Sequence, residues 1–208
     1  MNEMEKLQYV LFERLHRRAP GIDKLDRLWD AAVLLPLVRT PKGISVLFEE
    51  RAHTLRSQPG EVCFPGGKRE AGETAIQCAL RETWEELGIP ESAVTVIGEM
   101  DFIHIRAGSL LRPVLGEVDP ATLAAMRPAP EEVADTFLLP LRELKAHPPE
   151  VYLYRQPVEA PDFPYADAGV PADYPWRPWR LEVPVYHGLP YHLWGITARI
   201  TMDLLAHL

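Results

Sequence analysis

Few residues here could build a disulfide framework or a membrane segment. Only two cysteines occur in 208 residues, Cys63 and Cys78, and neither stands in a CxxC motif. That excludes a disulfide scaffold, so buried structural thiols and a reducing, cytoplasmic setting are expected. No stretch approaches the roughly 20 apolar residues of a membrane span. The opening residues, MNEMEKLQYVLFERLHRRAP, lack the apolar core of a secretion signal. Positive charge is also in short supply, with 22 Lys and Arg against 30 Asp and Glu, a formal net charge of −8. A general nucleic-acid or anionic-membrane partner is therefore not expected, because neither polyanion would be attracted. An anionic small molecule remains compatible if cations gather locally. Apolar content of 47% is that of an ordinary folded chain, long enough for a sizeable core.

The chain is organised around Gly67 to Ile89, GKREAGETAIQCALRETWEELGI. Thr74 and Gln77 have capping-box spacing, and Gly88 stands where a helix C-cap glycine belongs. Ile76, Ala79, Leu80, Thr83 and Leu87 recur at helical spacing as the expected buried stripe. Glu82, Glu85 and Glu86 are three and four apart, which places them together on a face away from that stripe. Like charges so close repel by a few tenths of a kcal/mol per pair, roughly. Two readings fit them: a solvated acidic face, or a cluster that holds a hard divalent cation such as Mg²⁺ with water and phosphate oxygens.

In chain order, residues 3–18 read as an amphipathic helix ended by Pro20 and Gly21. Ala31–Arg39 reads as a buried strand, with Pro36 suggesting an edge position or a bulge. Ile44–Glu50 completes a hairpin, and Glu61–Phe64 is a short strand before Pro65-Gly66-Gly67. Further strands are expected at Ala93–Met100, Leu110–Val118 and Thr136–Leu139, with a short helix at Leu141–Lys145. Ten of the 21 prolines fall in 146–190, which rules out a continuous helix there. Val151–Arg155 and Leu181–Tyr186 can pair as strands. The rest of that stretch reads as a lid, a ligand wall, or an arm joining two copies into a homodimer. A helix is expected after Trp194.

The central stretch resembles the Nudix box, G-x5-E-x7-R-E-U-x-E-E-x-G-U with U apolar. Gly67, Glu73, Arg81, Glu82, Glu85, Glu86, Gly88 and Ile89 match, and Thr83 replaces the first apolar residue. The upstream piece resembles the signature of the coenzyme A pyrophosphatase subfamily, L-L-T-x-R-S-x-x-L-R-x-H-x-G-x-V-x-F-P-G-G. Leu47, Arg51, Leu55, Arg56, Gly60, Val62, Phe64, Pro65, Gly66 and Gly67 match it. Phe48, Glu49, Ala52 and Gln58 depart from it. Trp194-Gly195-Ile196-Thr197-Ala198 resembles the start of the final helix of the same subfamily.

The resemblance implies an α/β/α Nudix sandwich with a mixed β-sheet over about residues 27–208, preceded by the N-terminal helix. It implies Mg²⁺- or Mn²⁺-dependent hydrolysis of the pyrophosphate of coenzyme A or its thioesters, giving 3′,5′-ADP and a 4′-phosphopantetheine species. Glu82 and Glu86 are then the leading metal ligands, with the Gly66 carbonyl as a further oxygen. Glu85 shares the metals or takes the water's proton, Arg81 orients the glutamates, and Glu73 braces the loop. Glu131 or Glu132 offers another ligand or simply forms a solvent-facing turn. Arg51 and Arg56 offer forked donors to phosphate; the rival is pairing with Glu50 or Glu61. The alternatives are a Nudix hydrolase of another nucleoside diphosphate derivative such as ADP-ribose, and a Nudix module that senses a ligand without turnover.

Overall fold

The computed structural model describes residues 29–106 and 109–208; the helix expected at 3–18 lies outside them. Strand β1 (Trp29–Thr40) and β2 (Gly43–Arg51) form the expected hairpin, with Leu37 opposite Val46 and Thr40 opposite Gly43. Beyond Leu37 and Val46 the two strands part. The segment carrying β3 (Val62–Cys63) and β4 (Gly66–Lys68) enters the fork, pairing first with β2 and then with β1. Helix α1 (Ala75–Leu87) follows, then β5 (Val94–Glu99), β6 (Ile103–Arg106) and β7 (Ser109–Val118). β7 runs parallel to β1 over its whole length and carries β5 and β6 antiparallel on its far edge. After the single turn α2 (Pro120–Leu123), β8 (Val133–Pro140) pairs with the outer edge of β2. The result is an eight-stranded mixed sheet.

Pro36 does not mark an edge or a bulge. It lies in a central strand, opposite Gly116 of β7. Leu34 N–H donates to the Pro65 carbonyl. Backbone N–H groups two residues apart point to the same side of a strand. An N–H at position 36 would therefore face the mouth of the fork, where β1 leaves β2 and little is lost by its absence.

Alternation along β1 builds two cores. Ala32 and Leu34 face α1 with Cys78, Ala79 and Val114. Ala31 and Leu35 face the other side, with Phe48, Phe64, Phe137 and the helix α4 (Gly195–Ala206). Helix α3 (Leu141–Ala146) adds Leu144 to that second core. The sheet thus lies between α1 and α4, the expected sandwich. Each fully buried leucine in these layers contributes about 1.5–3 kcal/mol.

Helix α1 begins and ends where its caps require. Thr74 accepts from Gln77 N–H, the Gln77 side chain accepts from Thr74 N–H, and Gly88 takes the left-handed C-cap conformation at φ 69°. In α4 the buried stripe includes Thr197, Ala198 and Thr201 with Ile200 and Leu204. The threonines are accommodated because both hydroxyls donate to carbonyls, Thr197 to Val62 at 3.0 Å and Thr201 to Thr197 at 2.8 Å.

The proline-rich stretch contains β9 (Glu150–Gln156) and β10 (Trp179–Val185), an antiparallel pair separate from the main sheet. Val151, Tyr152, Leu153, Tyr154 and Trp179 on this ribbon are exposed. Between the strands, Phe163, Tyr165, Tyr174 and Trp176 contact one another edge to face, and the Trp176 indole donates to the Tyr165 hydroxyl. Among the described residues, no helix is long and apolar enough to cross a membrane.

Candidate functional site

The site is built where the fork meets α1. Glu86 is not on an outward acidic face with Glu82 and Glu85. It is 3% exposed and belongs to the buried stripe with Ala75, Cys78, Ala79 and Thr83. The reason is helical phase: position 86 lies three residues after Thr83 and seven after Ala79, on the side that faces the sheet. The Glu82 side chain is mostly enclosed and that of Glu85 half exposed. The three carboxylates therefore grade from core to solvent.

Backbone geometry at the fork meets Glu86. The Leu34 N–H bond to Pro65 makes that pair the hydrogen-bonded one, and Val33–Gly66 the open one. The N–H and carbonyl of Gly66 therefore both face away from β1. The N–H donates to Glu86 Oε2 at 2.7 Å. A side chain is excluded at Gly66 and at Gly67. A Cβ at Gly66 would meet the Ala32 carbonyl oxygen at 2.3 Å, and one at Gly67 would meet the Glu82 carboxyl carbon at 2.5 Å. Glu82 thus lies directly on the Gly67 backbone.

Arg81 ties the cluster together. It forks onto Glu73, with Nε to Oε1 at 2.9 Å and Nη2 to Oε2 at 3.1 Å. Its Nη1 donates to Glu82 Oε1 at 2.8 Å and to Glu85 Oε2 at 2.9 Å. Nη2 also reaches the Lys68 carbonyl. The Arg81 guanidinium holds the Glu73 carboxyl below its ordinary pKa. Glu73 Oε2 also accepts from Glu70 N–H, closing the loop before the helix. A second brace lies behind it, where Asp30 accepts from both Arg69 and Arg112.

Among the described residues, no three acidic, histidine or cysteine side chains already gather around one point. Glu82 and Glu85 are turned toward Arg81 instead. Each of Glu82, Glu85 and Glu86 has one oxygen held by a protein donor, and the other makes no hydrogen bond among the described residues. With a carbonyl of Gly66 facing the same way, the donor set is oxygen only, which suits a hard divalent cation.

Electrostatics agree with that fit. Burial pushes the Glu86 carboxyl up to about 9, and the charge of Glu49 adds to the effect. Burial also raises Glu49, to about 7, and raises Glu82. Carboxylates crowded away from water favour the neutral form unless a cation compensates them. Glu132, exposed in the loop before β8, adds to the negative potential at Glu49, Glu82 and Glu86, whereas no comparable influence comes from Glu131.

Two cavities border this region. An open groove of about 690 Å³ runs along the outer side of α1, past Glu70, Glu73, Arg81 and Trp84. A more enclosed cleft of about 520 Å³ lies on the α4 side of the sheet. Its walls include Phe64, Ile103, Leu111, Leu181 and Ile200, with Arg51 and Arg199. It reaches Cys63 and Gly66, whose other contacts are Glu49 and Glu86. His104 lines it as an exposed strand residue of β6.

Arg51 and Arg56, read together from the sequence, are separated here. Arg51 ends β2, lines the cleft, and pairs with neither Glu50 nor Glu61; Glu50 instead meets His53. Arg56 is exposed on the following loop and is not part of the cleft wall. The intervening turn, closed by the Leu55 N–H donating to the Ala52 carbonyl, carries it outward; beyond it Gln58 takes a left-handed conformation at φ 54° with its amide on Glu61. Sequence reading passed over Glu49 except as a departure from a signature. The signal was a carboxylate two residues after Leu47, on the same inward face of β2.

Residues 28–159 match the NUDIX domain family. Nudix hydrolase 3 of Caenorhabditis elegans is 39% identical over 115 residues, covering 54% of this chain and 48% of that protein. The protein named "Uncharacterized Nudix hydrolase NudL" from Escherichia coli K12 is 32% identical over 179 residues, covering 84% of this chain and 80% of that one. NudL of Photorhabdus laumondii is 40% identical over 114 residues, and this chain spans 59% of it, so the span is about half the length of the first two curated relatives. Among solved structures, the Nudix hydrolase RenU of M. smegmatis is 25% identical with a TM-score of 0.48, over 57% of this chain and 76% of that one. On the domain match and the long alignment with the Escherichia coli relative, the chain belongs to the Nudix family.

Proposed function

We propose that this chain hydrolyses the diphosphate of coenzyme A or acyl-coenzyme A, using Mg²⁺ or Mn²⁺ held by Glu82, Glu86, Glu85 and the Gly66 carbonyl. Water adds across one P–O bond of the diphosphate, and the products are 3′,5′-ADP and (acyl-)4′-phosphopantetheine. The observation that carries the reading is continuity: the carboxylate cluster adjoins, through Gly66 and Cys63, a cleft with apolar walls. A nucleoside diphosphate with a long, flexible, weakly polar substituent matches that combination.

When bound, the divalent cation supplies charge neutralisation at the diphosphate and Lewis acidity toward water. The protein's own part is placement. Arg81 fixes Glu82 and Glu85 through one oxygen each and leaves the other oxygens available. The Gly66 N–H fixes Glu86 in the same manner. Glu85, the most solvent-exposed of the three, takes the proton from the attacking water. Arg51 presents donors from the cleft wall to the phosphate oxygens.

Product analysis from coenzyme A, acetyl-coenzyme A and ADP-ribose with each cation tests the assignment. The expected result is 3′,5′-ADP from the coenzyme A substrates; preference for ADP-ribose rejects it. Glu86→Gln should abolish hydrolysis with the fold retained, and unchanged turnover removes Glu86 from the reaction.

A further inference from the structure

Glu49 has no part in the reading above, yet it is the more enclosed of the two buried glutamates, 1% exposed. Its orientation follows from strand alternation. Val46 and Phe48 point into the core under α4, so Leu47 and Glu49 point to the face covered by α1. Glu86 occupies the sheet-facing side of α1, and the two carboxylates repel each other there. Across the strand pair, Cys63 lies beside Glu49 and its thiol donates to Glu49 Oε1 at 3.2 Å.

The other oxygen, Oε2, is buried without a hydrogen-bond partner among the described residues. Arg51 attracts Glu49 electrostatically but does not bond to it, and the Arg51 Nε is itself buried and has no partner among the described residues. Glu132 and Glu86 contribute further negative charge around it. An uncompensated carboxylate oxygen in a protein core is costly, and such groups persist where something else completes them. A thiol and a second carboxylate are poor compensation. A cation between β2 and α1 would satisfy the unpartnered oxygen and relieve the repulsion together.

We infer that Glu49 is a further carboxylate ligand of the divalent-cation centre, closing it from the sheet side while Glu82 and Glu86 close it from the helix side. The inference rests on the cation-binding reading of Glu82 and Glu86. It adds a residue that stands where the coenzyme A signature has threonine, so this centre carries one more negative charge than the signature supplies. The added charge favours tighter cation binding before any substrate phosphate arrives.

The test is titration of the full, metal-stripped chain with Mn²⁺ alone, read from the loss of the free-ion EPR signal. Glu49→Gln and Glu49→Thr should each weaken Mn²⁺ binding by about tenfold or more. Their metal-free melting temperatures should equal or exceed that of the unmodified chain, because a buried charge has been removed, while the Mn²⁺-induced rise shrinks. Mn²⁺ affinity within twofold of the unmodified chain in both variants overturns the inference. If Glu86→Gln weakens binding and the Glu49 variants do not, Glu49 is excluded and the cation reading stands. If the unmodified chain binds no Mn²⁺, both are lost. Should the variants fail to fold, crystals of the unmodified chain soaked in Mn²⁺ decide. An anomalous peak in direct coordination with Glu49 Oε2 upholds the ligand role, and an ion bound without it overturns the role.

Discussion

Metal-free protein should lose stability as pH rises through neutrality, and a divalent cation should restore it. Burial raises the Glu86 and Glu49 carboxyls, to about 9 and about 7 respectively, and Glu49 when charged raises Glu86 further. In the unfolded chain a glutamate titrates near about 4.3. Between those values the folded state binds the extra proton, so raising the pH penalises the folded state. The slope is about 1.4 kcal/mol per pH unit for each proton of difference. With one proton assigned to the Glu49–Glu86 pair, moving from about pH 5 to about pH 7 costs roughly 3 kcal/mol. For a chain of this size that is a fall in melting temperature of about 6–12 °C. Glu82, also raised by burial, acts in the same direction. Glu73 and Glu117 are held low by Arg81 and Arg39, so the stability they contribute is lost only as pH falls below the ordinary carboxylate range. A cation that binds the ionised carboxylates of the folded state adds about 2.7 kcal/mol at a hundred times its Kd. Thermal melts in EDTA, and again with Mn²⁺, measured across this pH range, check the reasoning. A metal-free melting temperature that is flat or rises with pH refutes it, as does a Mn²⁺-induced rise no larger at the alkaline end than at the acid end.

Two further outcomes follow from packing. Gly67→Ala places a methyl 2.5 Å from the Glu82 carboxyl carbon, so Glu82 must move by about 1 Å and kcat/KM should fall by about a hundredfold. Circular dichroism should show the fold retained, and full activity would remove Glu82's position from the mechanism. Thr197→Val deletes the 3.0 Å hydrogen bond that ties α4 to the Val62 carbonyl and should cost about 1–3 kcal/mol. The change should register as a lower denaturant midpoint with an unchanged m-value, and an unchanged midpoint would count against the bond.

Much of the local structure was legible because local rules act over few residues. The α1 boundaries follow from Thr74, Gln77 and Gly88, since caps satisfy backbone groups within one turn. The pairing of β9 with β10 was legible in two apolar segments separated by prolines; β9 is one residue longer at each end than expected, whereas β10 starts two residues earlier and stops one residue sooner. The W-G-x-T-A segment marked the start of α4, and its threonine is the residue that anchors the helix to β3. The Nudix assignment came from fixed spacing along one loop and helix, the kind of information a linear chain carries directly.

The expectation for Glu86 was wrong although its phase, three residues after Thr83 and seven after Ala79, pointed to the buried stripe. Its charge and its spacing to Glu82 and Glu85 grouped it with them, and the approach of the sheet to α1 shows it buried instead. The role of Glu49 was invisible for the same reason: its significance comes from a helix some 37 positions along the chain, at Glu86. Arg51 and Arg56 looked equivalent until the turn from Ala52 to Leu55 separated them. By itself, then, the sequence determined most of the elements, the caps of α1 and the family, but not the short strands β4 and β6. Tertiary structure decided the parallel pairing of β1 with β7, the fork that accommodates Pro36 and presents Gly66, and the carboxylates that face one another. Those outcomes depend on which surfaces meet, and burial energy is settled only when distant segments exclude water together.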